Sequence, residues 1–416
     1  MKQIYITNIK IDSVRHLKDI NIPLFGEKRK NLIITGKNGS GKTSVLEALS
    51  IYLKSVADDR SFNDYEDSLV FYKNRLEELK QQNNIQEINQ CEAQIQFYED
   101  KIQETRKGLK ISFNVETADM YRAFQNGNMI LAYYSADRVF KTEEVKNVEK
   151  VNFNEKYSIN EKPSTKFVKY LVDLKVTQAL ALTGNKKEKA DQIDEWFQSL
   201  EKLLKSIFGD ESIKLIFDEE QFQFYISMQN REKFDFNTLS SGYAAILDIV
   251  VDIIMRMEKY TNRKFEYRMP GIVLIDEIET HLHLELQKNI LQLLTSFFPN
   301  IQFIVTTHSP FVINSINNAV IYDLENHTLI PNGLNDIPYE GIIESYFNVN
   351  LLSKDLEEKF NRYKELVKKE QLEDEDFSEI ARLQMFLEEI PDYLALDITT
   401  EYQALKLEFE RRTDLQ

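Results

Sequence analysis

The chain has 416 residues, of which 42% are apolar, so it is long enough to bury a large core and to form two or three domains. Its net charge of −16 argues against a surface covered with nucleic acid over its whole extent. The charge is uneven, because residues 1–55 carry ten basic and four acidic side chains, whereas residues 351–416 carry ten and eighteen. Any nucleic acid would therefore bind at a basic N-terminal face or through a separate partner.

The sequence favours a cytoplasmic protein that has no membrane partner. The first ten residues alternate like a β-strand and lack the apolar core of a signal peptide. The most apolar stretch, Ala244–Met255, is too short to span a bilayer and contains Asp248 and Asp252. The single cysteine, Cys91, excludes an internal disulfide and is typical of a reducing compartment.

The opening of the chain predicts β structure followed by a strand, a glycine-rich turn and a helix. Apolar side chains recur at roughly alternate positions over residues 4–11 and 17–24, which indicates two strands. Asn31–Thr35 is a short apolar run typical of a buried strand, and Thr43–Leu53 carries apolar residues on one side of a helix.

The turn between that strand and that helix predicts an ATP site. Its letters, GKNGSGKT, fit the phosphate-loop pattern G-x-x-x-x-G-K-[ST], in which glycines let backbone N–H groups turn toward phosphates. Lys42 would reach the β- and γ-phosphates, and the Thr43 hydroxyl would ligate Mg²⁺. The predicted nucleotide-binding residues of this segment are Gly36, Lys37, Asn38, Gly39, Ser40, Gly41, Lys42, Thr43 and Ser44.

Residues 66–107 differ in composition, since they are rich in Glu, Gln, Lys and Asn and contain neither Gly nor Pro. Their apolar residues follow heptad spacing in two blocks, with a break of phase at 81–84. This favours an antiparallel helical hairpin with its tip near Asn83 and Asn84. Two ordinary amphipathic helices packed on the main body are the alternative, because each block is only about two heptads long.

The middle of the chain predicts further α/β structure. Met129–Ser135 is an apolar run, a helix is expected around Asp191–Ile207, and a strand pair is expected around Ile213–Met228. The segment LSSGY, residues 239–243, opens another helix. Two hydroxyls and a glycine at a helix N-terminus can hold an anion, although a plain serine cap explains the same residues.

Two further strands predict the remainder of the ATP site. Gly271–Ile275 is followed by Asp276 and Glu277, at the sheet edge where open α/β proteins bind ligands. We expect Asp276 to hold Mg²⁺ and Glu277 to activate the attacking water. The strand around Gln302–Thr306 ends just before His308, which would hydrogen-bond the γ-phosphate or the water.

The four motifs GKNGSGKT, LSSGY, IVLIDE and TTHSP occur in the order of the phosphate loop, signature, Walker B and switch histidine of ABC ATPases, which this sequence resembles. The resemblance implies an α/β, ABC-type P-loop nucleotide-binding domain with a helical hairpin insertion and a helical C-terminal region. It implies ATP and Mg²⁺ as cofactors, with Lys42, Glu277 and His308 catalytic.

The resemblance also implies a site shared between subunits. Ser240, Ser241 and Gly242 of one subunit would cap the phosphate loop of another, giving a homodimer or a higher even oligomer. Leu282, flanked by His281 and His283, follows Walker B in the segment that lies at this interface; two histidines are too few for a metal site.

Within that family, DEIETHLHLELQ followed by TTHSPFVINSI is similar to the RecF/SMC-like branch. Tyr243, in place of the usual glutamine of the signature, also fits that branch. One departure is the lack of a clear glutamine after a central strand to sense Mg²⁺. The segment YYSADR occupies its place, and Ser135 and Arg138 are the candidates to replace it.

The acidic tail, with YEGIIESYFNV and EEKFNRYKELV, resembles bacterial anti-phage defence ATPases of the Septu and retron-associated kind. These work with a separate effector, so the resemblance implies a sensor or regulatory ATPase that controls a partner such as an HNH-type nuclease. A DNA-repair or chromosome-maintenance ATPase is one alternative, and an ATP-gated scaffold with little hydrolysis is another.

The predicted divisions are 1–65 and 108–330 for the two parts of the ATPase domain, 66–107 for the hairpin and 331–416 for the tail. In the tail, apolar residues recur at helical spacing, namely Leu356, Phe360, Tyr363 and Val367. Their cover is either the ATPase body or a docked effector.

Overall fold

The protein is described by a computed structural model that covers residues 2–25, 28–58, 61–82, 85–334, 354–369, 371–388 and 396–410. The chain forms two compact units, Met1–Ile337 and Pro338–Gln416. The predicted hairpin tip at Asn83 and Asn84 and the segment YEGIIESYFNV lie outside the described residues.

The first unit contains both strands and helices among its described residues. The strands are β1 Ile6–Val14, β2 Leu17–Pro23, β3 Asn31–Thr35, β4 Leu109–Phe113, β5 Ile130–Tyr134, β6 Lys214–Asp218, β7 Gln223–Ser227, β8 Phe234–Asp235, β9 Gly271–Ile275, β10 Ile301–Thr306, β11 Ala319–Asp323 and β12 Thr328–Ile330. The helices are α1 Lys42–Asp58, α2 Ser61–Gln82, α3 Ile85–Arg106, α4 Thr117–Gln125, α5 Phe167–Thr183, α6 Lys187–Phe208, α7 Ser241–Thr261, α8 Leu284–Phe297 and α9 Pro310–Ile313.

A six-stranded sheet in the order β12-β11-β3-β10-β9-β5 forms the centre of this unit. Its strands pair in parallel except for β12, which pairs antiparallel with β11. Every residue of β3, β9, β10 and β11 is buried, which accounts for their continuous apolar sequences, since a parallel sheet is covered on both faces.

A second sheet, β2-β1-β4, is antiparallel, and its strands alternate between buried and exposed residues. The buried Gln302 of β10 joins the two sheets. Its side-chain oxygen accepts from Ile6 N at 2.7 Å, and its amide nitrogen donates to Ile6 O at 3.0 Å. A buried amide is tolerated here because its hydrogen bonds are satisfied.

Helices α2 and α3 form an antiparallel pair, which confirms the predicted hairpin. Arg106 donates to Glu66 at 2.8 Å near one end, and the Tyr72 and Tyr98 rings stack with centroids 5.6 Å apart. Each helix has 22 residues. At 1.5 Å per residue, each arm is therefore about 33 Å long.

The other predicted elements of the middle region are also confirmed. The helix expected at 191–207 is α6, and the expected strand pair is β6 with β7, which continues into β8. Among the described residues, none of the helices is both long enough and apolar enough to cross a membrane.

The second unit contains three described helices, α10 Lys354–Lys368, α11 Asp374–Glu388 and α12 Leu396–Glu410. Their apolar side chains form one core, to which α10 contributes Phe360, Tyr363 and Val367. The sequence alone leaves the ATPase body or a docked effector as partners of this apolar face. Both alternatives were incomplete, because the apolar face of α10 packs on the other helices of the tail. The heptad-like spacing of one helix could not reveal partners that lie 20 to 45 residues further on.

Candidate functional site

The phosphate loop, the two Walker B carboxylates and His308, all predicted parts of the ATP site, meet at one edge of the six-stranded sheet. Strands β3, β10 and β9 are neighbours and run parallel, so their carboxyl ends meet at the same edge. Gly36 follows β3, Asp276 follows β9, and His308 lies two residues beyond β10. Residues that are 240 and more positions apart in sequence are therefore brought together, as the motif order predicts.

The phosphate loop has the backbone conformation that its glycines allow. Gly36, Gly39 and Gly41 have φ values of 136°, 84° and 98°, which favour glycine. A Cβ on Gly36 would also lie 2.8 Å from the Ser40 hydroxyl. Lys42 is buried, and its Nζ donates to Gly36 O at 2.9 Å and to Lys37 O at 3.1 Å. The ammonium thus lies inside the turn of the loop.

The other loop residues lie around this turn. Asn38 and Gly39 are exposed, and the side chain of Thr43 is exposed on the first turn of α1, next to the partly buried Ser44. Lys37 N–H donates to Glu325 Oε2 at 3.3 Å, and Lys37 Nζ contacts Glu325 Oε1 at 2.8 Å. A loop N–H that donates to a carboxylate is consistent with an anion-binding loop.

Thr306, at the end of β10, orients both Walker B carboxylate residues. Its hydroxyl donates to Asp276 Oδ1 at 2.5 Å and accepts from Glu277 N–H at 2.7 Å. All of these contacts lie at the loop edge of the sheet, and Asp276 is buried. Sequence reasoning missed this role, because a threonine ending an apolar strand carries no signal of its partners.

Arg138 holds the backbone that follows Asp276. Its guanidinium donates to Asp276 O at 2.6 Å, Glu277 O at 3.0 Å and Ile278 O at 3.3 Å. The side chain is only 3% exposed, and burial lowers the pKa of its guanidinium. Arg138 therefore acts on the Walker B turn through main-chain carbonyls, whereas the Ser135 hydroxyl, the other candidate for the missing glutamine, donates to Asp137 O at 3.3 Å.

Glu277 lies in a strained backbone conformation. Its φ is 42°, in the left-handed region that residues other than glycine seldom adopt. Contacts from Thr306 and Arg138 on either side of the residue fix this conformation. Such strain costs about 1–3 kcal/mol and concentrates at functional sites, so it supports a role for this carboxylate.

Polar atoms around the loop are buried and unpartnered within the described part of the chain. They are Thr35 Oγ1, Ser40 Oγ, Glu279 Oε2 and His308 Nε2. Buried polar groups normally have partners, so a cluster of four at one edge indicates a site built for a polar ligand. Glu279 was not predicted from the sequence as a residue of this site. Its Oε1 accepts a hydrogen bond from His308 N–H at 2.5 Å.

The charges at this edge influence one another. Burial lowers the pKa of the Lys42 ammonium, while the carboxylates of Glu277, Glu279 and Asp276 oppose that change. Burial and the charge of Lys42 lower the pKa of the His308 imidazole. A neutral imidazole at physiological pH can donate one hydrogen bond and accept another.

The residues fit Mg²⁺ and a triphosphate. The Asp276 carboxylate and the Thr43 hydroxyl are hard oxygen ligands of the kind that Mg²⁺ prefers, and Lys42 supplies the cation for phosphate oxygens. The unpartnered atoms around the loop are consistent with this ligand. The individual roles of these residues remain predictions.

The signature segment has a different environment. Ser240 and Ser241 are exposed at the N-terminus of α7, and among the described residues no hydrogen bond joins their side chains to the phosphate loop. Gly242 packs closely on the segment after Walker B, since a Cβ there would lie 2.8 Å from His281 O. In that segment Leu282 is buried, whereas the flanking His281 and His283 are exposed.

The fold and the site together define a P-loop nucleotide-binding domain of the ABC type. The chain belongs to the family described as "AAA domain, putative AbiEii toxin, Type IV TA system", which it matches over residues 32–314. This range contains all four motifs and the hairpin.

The chain is 27% identical to the Septu protein PtuA of Bacillus mycoides (strain KBAB4) over 398 residues, which cover 92% of this chain and 50% of that protein. It is 35% identical to the Retron Ec83 probable ATPase of Escherichia coli over 181 residues, which cover 42% of this chain and 32% of that protein. These comparisons confirm the predicted resemblance. The chain spans about half the length, or less, of these curated relatives.

Among solved structures, the chain matches an SMC head bound to the C-winged helix domain of ScpA. The match has a TM-score of 0.39 and 14% identity, and it covers 80% of this chain and 99% of that chain.

Proposed function

We propose that the protein binds and hydrolyses ATP at the edge formed by β3, β10 and β9. The observation that carries this proposal is the joint placement of Lys42, Asp276, Glu277 and His308 around one phosphate loop. Lys42 contacts the β- and γ-phosphates, Glu277 acts as a base that activates the attacking water, and His308 donates a hydrogen bond to the γ-phosphate. Thr43 and Asp276 would hold Mg²⁺, which would neutralise part of the phosphate charge.

The complete site is composed of two subunits, which form a homodimer or a higher even oligomer. The exposure of Ser240 and Ser241 supports this proposal, because these hydroxyls and the N-terminus of α7 remain available to a phosphate of another copy. The nucleotide thus joins the subunits, and its hydrolysis releases them.

A mixture of two inactive variants tests the composite site. Lys42→Ala removes the phosphate-loop cation, and Ser241→Arg blocks the signature. A homodimer of either variant therefore has no complete site. In a mixed dimer, the intact loop of one subunit faces the intact signature of the other, and we expect ATPase activity to reappear. The measurement is phosphate release after mixing, beside each variant alone. If subunits exchange and both variants are folded, yet activity never returns, the composite site is rejected.

We further propose that the ATPase is the sensor or regulatory subunit of a bacterial anti-phage defence complex with a separate effector, such as an HNH-type nuclease. The similarity to a Septu protein and to a retron ATPase supports this assignment. The acidic excess of residues 351–416 supports a basic partner docked on the tail, because opposite charges speed association.

Deleting residues 338–416 tests the docking of the effector on the tail. A shorter deletion, such as 375–416, would remove α11 and α12 and expose the core of α10. We expect the deletion to lose a co-expressed effector while ATP binding to the remaining unit persists. The full chain should release the effector as salt rises, because exposed charge pairs are screened. Retention of the effector by the shortened protein would exclude docking on this unit.

A further inference from the structure

The first unit contains a cleft of about 860 Å³, and its described lining residues do not include those of the phosphate loop. It is walled by residues 150–153, by parts of α5 and α6, and by the end of α7 with the residues that follow it. Among the described residues that line it, none belongs to the predicted ATP site. Its volume is in the range of about 300–1,000 Å³ that ligand pockets span.

The wall of this cleft is strongly basic. Its cationic residues are Lys150, Lys186, Lys189, Lys259 and Arg263. The four lysines are exposed, and none of them forms an ion pair with a carboxylate in the described part of the chain. Arg263 lies 3.6 Å from Asp173. In a chain of net charge −16, unneutralised lysines around one concavity create a local positive potential.

The acidic residue in the described lining, Glu258, does not neutralise these lysines. It is 2% exposed and belongs to α7. Its carboxylate accepts from Tyr267 at 2.6 Å, Tyr170 at 2.9 Å and Trp196 Nε1 at 3.0 Å. Burial raises its pKa, although these donors oppose the change. The Glu258 carboxylate is therefore bonded to buried side chains and does not pair with the lysines. Their positive charge remains available to a ligand.

The cleft also offers a ring surface beside the cations. Phe153 is half-buried, and its ring meets Tyr170 edge-on with centroids 4.9 Å apart. Leu180, which is 66% exposed, adds apolar surface to the lining. Several cations next to an accessible aromatic ring suit a ligand that combines multiple negative charges with a planar base.

We propose that this cleft is a second site, which binds the phosphates of a nucleotide through Lys150, Lys186, Lys189 and Lys259, with its base against Phe153. The shared chemistry is that of a nucleotide, either free or within a single nucleic-acid strand. This inference does not depend on ATP hydrolysis at the phosphate loop.

The test is carried out in a Lys42→Ala background, so that the phosphate loop contributes little to binding. The two probes are a short fluorescein-labelled single strand of DNA and a fluorescent ADP analogue, both followed by anisotropy. The double change Lys186→Glu/Lys189→Glu reverses two charges of the wall. We expect it to weaken binding of one or both probes roughly tenfold or more, and to reduce the dependence of that binding on salt.

The matched control is Lys202→Glu/Lys214→Glu, which makes the same charge change at exposed lysines outside the cleft. It should bind as the parent does. Loss of strand binding alone assigns a nucleic-acid strand, and loss of the ADP analogue alone assigns a free nucleotide. Equal binding by the two double variants, or no binding of either probe to the parent, overturns the proposal. The milder Lys186→Gln/Lys189→Gln replaces the reversed variant if thermal unfolding shows that the latter is unstable.

Discussion

Glu277→Gln is expected to bind ATP and to hydrolyse it about a hundredfold or more slowly than the wild-type protein, because an amide cannot act as a base toward water. The change is close to isosteric, and Thr280, whose hydroxyl contacts Glu277 Oε2 at 3.4 Å, can contact the amide oxygen instead. The backbone at φ 42° is held by main-chain contacts that the change leaves in place. Stability should therefore change little.

Two measurements check this expectation. The rate of phosphate release measures the loss of turnover. Size-exclusion chromatography in the presence of ATP shows whether the variant accumulates as a dimer with unhydrolysed nucleotide bound. Glu266→Gln, at an exposed position beyond α7, is the control for a lost carboxylate. Wild-type turnover in Glu277→Gln would exclude the assignment of this residue. Loss of nucleotide binding would instead indicate that Glu277 acts in binding.

The sequence could predict this site because local signals coincide with parallel topology. The glycine positions of the loop need positive φ, and all three glycines have it. The strands β9 and β10 are buried along their whole length, so their apolar runs mark them. Once parallel neighbours are assumed, Asp276 and His308 must meet the loop at one edge.

Other parts of the molecule depend on contacts that no local pattern encodes. Thr306 and Glu279 act through partners about 30 residues away, and Arg138 reaches carbonyls about 140 residues away. The tail shows the same limit on a larger scale, because an amphipathic pattern reveals that a helix needs cover and does not identify it. Side-chain hydrogen bonds to the main chain leave almost no trace in a single sequence.

Arg138 gives the second large effect. We expect Arg138→Met to keep the bulk of the side chain but to lose its donors to Asp276 O, Glu277 O and Ile278 O. Hydrogen bonds from charged groups contribute about 1.5–3 kcal/mol. If their loss displaces the Walker B turn and raises the activation free energy by that amount, kcat falls about ten- to a hundredfold. Among the described residues, the hydrogen bonds of the Arg138 side chain go to this turn and to Ser135 O, so KM for ATP should change much less.

The decisive comparison is between kcat and KM across three variants. Arg138→Lys keeps the charge but has no planar fork, so it should restore part of kcat. Arg122→Met, at an exposed arginine paired with Asp119, should leave both constants unchanged. The change also removes hydrogen-bond donors from buried carbonyls and so can destabilise the domain. Thermal unfolding shows whether the variant is still folded when kcat is measured. A folded Arg138→Met protein with wild-type kcat would show that the turn holds Asp276 and Glu277 without this guanidinium, and Thr306 alone would then account for their placement.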